Sequence, residues 1–117
     1  MTGDRPQGYW SQAAAAEVFR QMMDTCGPRE RRPLPLLDWT VRARGSLLGM
    51  SPRSPYPVLG RPVYDAWRHR WQLGSLPPDD RDDGYYLRAG ARIHTIDVVI
   101  AIRVMSSELY LPLSDEQ

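Results

Sequence analysis

Residues 96–104 read Ile-Asp-Val-Val-Ile-Ala-Ile-Arg-Val, and the folding of this stretch decides the class of the whole chain. Ile96, Val98, Ile100, Ile102 and Val104 fall on every second position, the repeat of a strand with one buried face. Among the first five residues, Ile96, Val98, Val99 and Ile100 are β-branched; such side chains lose rotamer freedom in a helix and fit a pleated sheet. The competing reading makes 95–109 a helix capped by Thr95. The strand reading is adopted.

Working outward, Tyr85, Leu87, Ala89 and Ala91 also alternate with polar or small residues, so a reversal near 90–95 joins two strands into a hairpin. A second alternation lies upstream, with Leu37, Trp39, Val41 and Ala43 set against Asp38, Thr40, Arg42 and Arg44. Gly45 permits a turn there, and Leu47 to Met50 returns as the partner strand. Two helices frame this first hairpin. Gln12 to Cys26 has Ser11 as N-cap and Gly27-Pro28 as its stop, with Ala15, Val18, Phe19, Met22 and Cys26 on one stripe. The second runs from Pro62 to Leu73 before Gly74, with Val63, Tyr64, Trp67 and Trp71 on one face and Arg68, His69, Arg70 and Gln72 directed outward.

The proline-rich segments 28–35, 51–60 and 76–84 read as connectors, because proline removes a backbone donor and restricts its predecessor. The expected architecture is α+β: a two-layer domain of order α-β-β-α-β-β, with about four antiparallel strands and two helices. Its 117 residues suit one domain, with loose termini over 1–8 and 106–117. Hydrophobic residues make up 42% and charged residues 25%, enough apolar surface for a core and too little charge for disorder throughout. The longest apolar run, 98–102, is far short of the ~20 residues of a membrane-spanning helix.

The single cysteine, Cys26, excludes an internal disulfide and a cysteine-based zinc site. No signal-peptide pattern opens the sequence, so the cytoplasm is the expected compartment. Fifteen basic residues face fourteen acidic ones, so net charge selects no partner. All fifteen cations are arginine. Exposed positions accept lysine equally well, so this bias points to GC-rich coding rather than to a fold requirement.

Catalysis needs a nucleophile or metal, a tuned base and a means of stabilising developing charge. No helix with His-Glu-x-x-His, nucleophile elbow, Walker loop or dinucleotide turn is present. His69 sits among arginines on a polar helix face. His94 lies near a turn, three residues before Asp97, and the pair is the one candidate base. Asp79, Asp80, Asp82 and Asp83 resemble a cation loop only superficially, since Arg81 and Gly90 occupy its third and twelfth positions. No catalytic residue, metal or cofactor is expected.

Two binding readings remain. Nine arginines against three acids over 28–70 suggest a nucleic-acid patch of Arg42, Arg44, Arg68 and Arg70, if these converge. Alternatively, the four tryptophans and six tyrosines suit a protein interface, with Trp10, Tyr56, Tyr86 and Tyr110 left outside the expected core. A strand edge at Ile100 would favour self-association, because unpaired β-branched edges tend to be covered. The sequence therefore points first to a non-enzymatic protein-interaction domain, regulatory or adaptor-like and self-associating as a homodimer. A nucleic-acid-binding regulator is the alternative, and a small ligand-binding protein or enzyme built on His94 and Asp97 comes third.

Overall fold

The structure is a computed structural model that describes residues 7–42, 45–52 and 59–108, without the side chains of 7–11 and 106. The elements are α1 (Gln7–Asp24), β1 (Asp38–Val41), β2 (Leu47–Met50), α2 (Arg61–Trp71), β3 (Gly74–Arg81), β4 (Gly84–Ile93) and β5 (Ile96–Val104), followed by a 3₁₀ turn at Ser106–Glu108. They form an α+β fold with one five-stranded sheet in the order β1-β2-β5-β4-β3. Three pairings are antiparallel, but β2 runs parallel to β5 with Leu47 opposite Val98 and Met50 opposite Ala101. The decisive stretch is therefore a strand, not a helix, and it is the centre of the sheet.

Four sequence expectations are corrected here. The sheet is mixed, because the two hairpins join through the β2–β5 ladder. It has a fifth strand, β3, in a segment read as loop from its Pro77-Pro78. Proline is tolerated at an edge, where its missing donor faces away from the ladder, and the register slips between Leu76 and Asp79 to bulge around the pair. Helix α1 begins at Gln7, so Ser11 lies within it and is not its cap. Ile100 is no edge residue: β5 is paired on both sides, and the Ile100 side chain is 0% exposed in the core.

Alternation along β5 assigns its two faces. Ile96, Val98, Ile100, Ile102 and Val104 point into the core, where Ala15, Val18 and Met22 of α1 and Tyr64 and Trp67 of α2 cover them. An aromatic cluster ties both helices to the β1 side of the sheet. Trp39 meets Trp67 edge-on at 5.5 Å and Phe19 at 6.3 Å, and Trp67 Nε1 donates to Pro35 O at 2.8 Å. Gly49 makes room for the Trp39 ring, since a Cβ there would lie 2.8 Å from it.

The start of α2 is fixed from a distance. Gly60 has no side chain to cap the helix, and a Cβ would lie 2.0 Å from Arg103 O, so the chain enters α2 directly across the end of β5. Glu108 supplies the cap instead. Its carboxylate accepts from Gly60 N at 3.1 Å, Arg61 N at 2.8 Å and Met105 N at 2.7 Å, while its carbonyl accepts from Arg61 Nη1 at 3.3 Å. A carboxylate suits the positive end of the helix dipole. At 2% exposure Glu108 belongs to the fold, not to the loose terminus expected from 106 onward.

The β4–β5 reversal is a two-residue turn with His94 at φ 49° and Thr95 at φ 70°. Both left-handed positions match a type I′ hairpin, which favours Asn-Gly; β-branched Thr95 is strained there. Replacing His94-Thr95 with Asn-Gly should raise stability by about 1 kcal/mol, read as a melting temperature about 4 °C higher. Glu108→Ala leaves three backbone donors without their acceptor and should cost about 3 kcal/mol in denaturant titration. A cost within ~0.5 kcal/mol, the range of ordinary surface changes, would show that the cap does not hold α2 in place.

Candidate functional site

Because both helices pack on one face, the outward positions of the strands form a second face that, among the described residues, no helix covers. Cross-strand registers place Leu48 beside Val99 and Met50 beside Ala101, with Gly90 and Arg88 on the other side of those two residues. Leu76, opposite Arg88, extends the row to β3. Leu48, Met50, Leu76 and Val99 are only partly covered. Around this apolar centre stand Asp97, Arg92 and Arg103, together with Asp38 and Thr40 of β1. A sheet exposed on one face usually alternates apolar-in with polar-out. Here the outward positions of the central strand include the half-buried Val99 and Ala101, the latter only 1% exposed.

One end of this face is a compact polar cluster. Arg103 is the direct cross-strand partner of Tyr86, and its side chain passes over Gly84, where a Cβ would lie 2.5 Å from Nε. Arg81 stacks over the Tyr86 ring at 5.0 Å and donates to Asp79 at 2.7 Å. Tyr86 Oη donates to Asp83 at 2.8 Å. Burial, and then this bond, push the Tyr86 phenol above its ordinary range, while the same bond holds the Asp83 carboxyl below its own. Tyr86, expected as an exposed interface residue, is thus 6% exposed, its ring beneath Arg81. At the other end Arg92 pairs with Asp97 at 3.5 Å, both exposed.

The described residues of the expected arginine patch sit on different elements, Arg42 after β1 and Arg68 and Arg70 in α2. Arg42 is exposed in the β1–β2 turn, donating its backbone N–H to Ser46 O. Arg68, read as outward, is 9% exposed; it lies over Tyr64, and its Nε donates to Leu73 O, closing the end of α2. Arg70 stacks on Trp71 and pairs with Glu30 at 3.5 Å. Arg44, Tyr56 and Tyr110 lie outside the described residues, and Trp10 is in α1 with its side chain outside them.

The candidate His94–Asp97 base is not assembled as a pair, since Asp97 makes its ion pair with Arg92 and His94 sits exposed in the strained turn. Cys26 Sγ donates to Pro35 O at 3.9 Å, and burial pushes its thiol up, away from thiolate reactivity. Asp79 and Asp83 are engaged by Arg81 and Tyr86. Among the described residues no group of three or more His, Cys, Asp or Glu side chains is placed to hold a metal ion, and no helix is long and apolar enough to cross a membrane.

The sequence reading missed the face itself: Leu48, Met50, Val99, Ala101, Arg88 and Arg103. A signal was present in 97–103, where the positions between the buried ones read Asp-Val-Ala-Arg rather than uniformly polar. Compared with protein-family models, with curated proteins and with solved structures, the chain shows no match. Function is therefore argued from the site alone.

The Tyr86–Asp83 bond carries its own test. A phenol raised in the fold gives stability that is complete below its unfolded value and is lost as pH rises through the folded one. Tyr86→Phe keeps the ring under Arg81 and should cost about 1 kcal/mol at neutral pH. The difference from wild type should shrink above pH ~10, the ordinary tyrosine value, in denaturant titrations across the pH series.

Proposed function

We propose that this protein is a non-enzymatic binding domain that presents its helix-free sheet face to a protein partner. The observation behind this reading is the partly exposed row Leu48, Met50, Val99 and Leu76, ringed by Arg88, Arg92, Arg103, Asp97 and Asp38. An apolar centre within a polar, arginine-containing rim is the usual anatomy of a protein interface. A regulatory or adaptor role, acting through occupancy of this face, is the form of function such a surface supports.

A nucleic-acid partner is the weaker reading. Arg68 is turned into the protein, Arg70 is engaged by Glu30, and the sheet face interleaves its cations with Asp79, Asp83 and Asp97. Phosphate recognition rests instead on an accumulation of unopposed positive charge.

Affinity capture from host lysate, with and without nuclease, separates the two. The proposal predicts a protein ligand retained after nuclease treatment and reduced at least ~10-fold by Val99→Glu, the loss of one well-buried anchor. Nuclease-sensitive capture, or capture indifferent to Val99→Glu in a folded variant, would overturn it.

A further inference from the structure

We infer that the helix-free face docks on the same face of a second copy of this chain, with a two-fold axis running across β5 at the level of residue 100. The inference rests on the binding reading above and names the partner.

The outward residues of β5 carry the argument. In order they are Asp97, Val99, Ala101 and Arg103: an acid at one end, a base at the other and two apolar residues between. A two-fold axis perpendicular to the strand lays this series over itself in reverse. Each Asp97 then meets Arg103 of the other copy, while each Val99 comes over the position of Ala101, which is itself only 1% exposed. An axis parallel to the strand would set Asp97 against Asp97 and Arg103 against Arg103, a like-charge juxtaposition that opposes association. The charge order thus selects one symmetry operator for an isologous contact.

The neighbouring strands agree with that operator. Gly49 of β2 and Ala89 of β4 are both level with Ile100, so the axis passes through them too. On β2 it exchanges Leu48 with Met50, apolar on apolar. On β4 it places Arg88 over Gly90, which has no side chain to obstruct the arginine stem. It also brings Arg92 over the Tyr86 site of the other copy, where Arg81 covers the ring and Asp79 and Asp83 supply the opposing charge. Packed sheets tolerate the ~30° offset that their twist imposes.

The area is adequate for a reversible dimer. Five strands at ~4.8 Å spacing, carrying four to ten residues each at ~3.3 Å, give a face on the order of 500 Å². Two copies then bury about 1,000 Å², the lower bound for a specific interface.

Sedimentation equilibrium of the full chain over a concentration series tests this, with circular dichroism as the check that each variant is folded. Wild type should show a monomer–dimer equilibrium. Asp97→Arg and Arg103→Asp should each weaken it about ten-fold, by setting like charges together. The double variant Asp97→Arg/Arg103→Asp restores opposite charges across the two-fold and should return to within about three-fold of wild type. That rescue is specific to this operator. A wild type that stays monomeric at ~1 mM, beyond the range of micromolar affinity, would overturn the inference, as would a dimer indifferent to the single reversals or one that the double variant fails to restore. If the chain is monomeric yet its lysate capture is lost with Val99→Glu, the second copy falls and the binding reading stands. If it dimerises with the charge rescue, the second copy stands even where no lysate ligand is captured.

Discussion

The structure depends on one strand being buried in its ladder on both sides. β5 pairs with β2 along one edge and β4 along the other, and through them it holds β1 and β3. Its inward side chains, Val98, Ile100 and Ile102, are shielded by both helices. Each such side chain contributes roughly 1.5–3 kcal/mol by leaving water, and their positions fix the register of every neighbouring strand, since a one-residue slip would turn them to the other face. α2 is set against the same strand, its first turn crossing the β5 end at Gly60 and capped by the carboxylate that follows β5 in sequence.

Most local structure was legible in the residue pattern. Period-two alternation located β1, β4 and β5, and the apolar stripes located both helices, because these signals arise from burial of one face of one element; β2 followed from the turn at Gly45. Contacts between distant segments leave no such trace. The parallel β2–β5 ladder joins segments about fifty residues apart, and nothing near Leu47 reports it. β3 was hidden by Pro77-Pro78, which forbid a central strand but not a bulged edge. Arg61 and Arg68 looked like surface residues by type; both are buried because their long stems cover apolar surface while their heads serve the ends of α2 and its neighbours. Glu108 gave no local hint of its role, since the amides it satisfies at Gly60 and Arg61 lie 48 and 47 residues away.

The candidate site was less legible than the fold. Of the four aromatic residues expected to mark the surface, only Tyr86 has a described side chain, and it is buried under Arg81; Trp39 and Trp67 lie on the helix-facing side, as their spacing predicts. The surface is made instead by small and aliphatic residues that alternate with the core set. Such positions look unremarkable one at a time. Their meaning appears only when the registers lay Leu48, Val99, Met50 and Ala101 side by side on a face that no described helix covers.

That two-sidedness of β5 is the central claim, and site-directed thiol labelling tests it most directly. In a Cys26→Ser background, Val99→Cys and Ile100→Cys place thiols on adjacent residues of one strand and opposite faces of the sheet. At dilution the thiol at position 99 should react at a rate near that of an unstructured thiol. The thiol at 100 should react only through global opening, slower by about a thousand-fold for a domain of ordinary stability. Equal rates at the two positions, or faster reaction at 100, would contradict the register and with it the existence of the helix-free face.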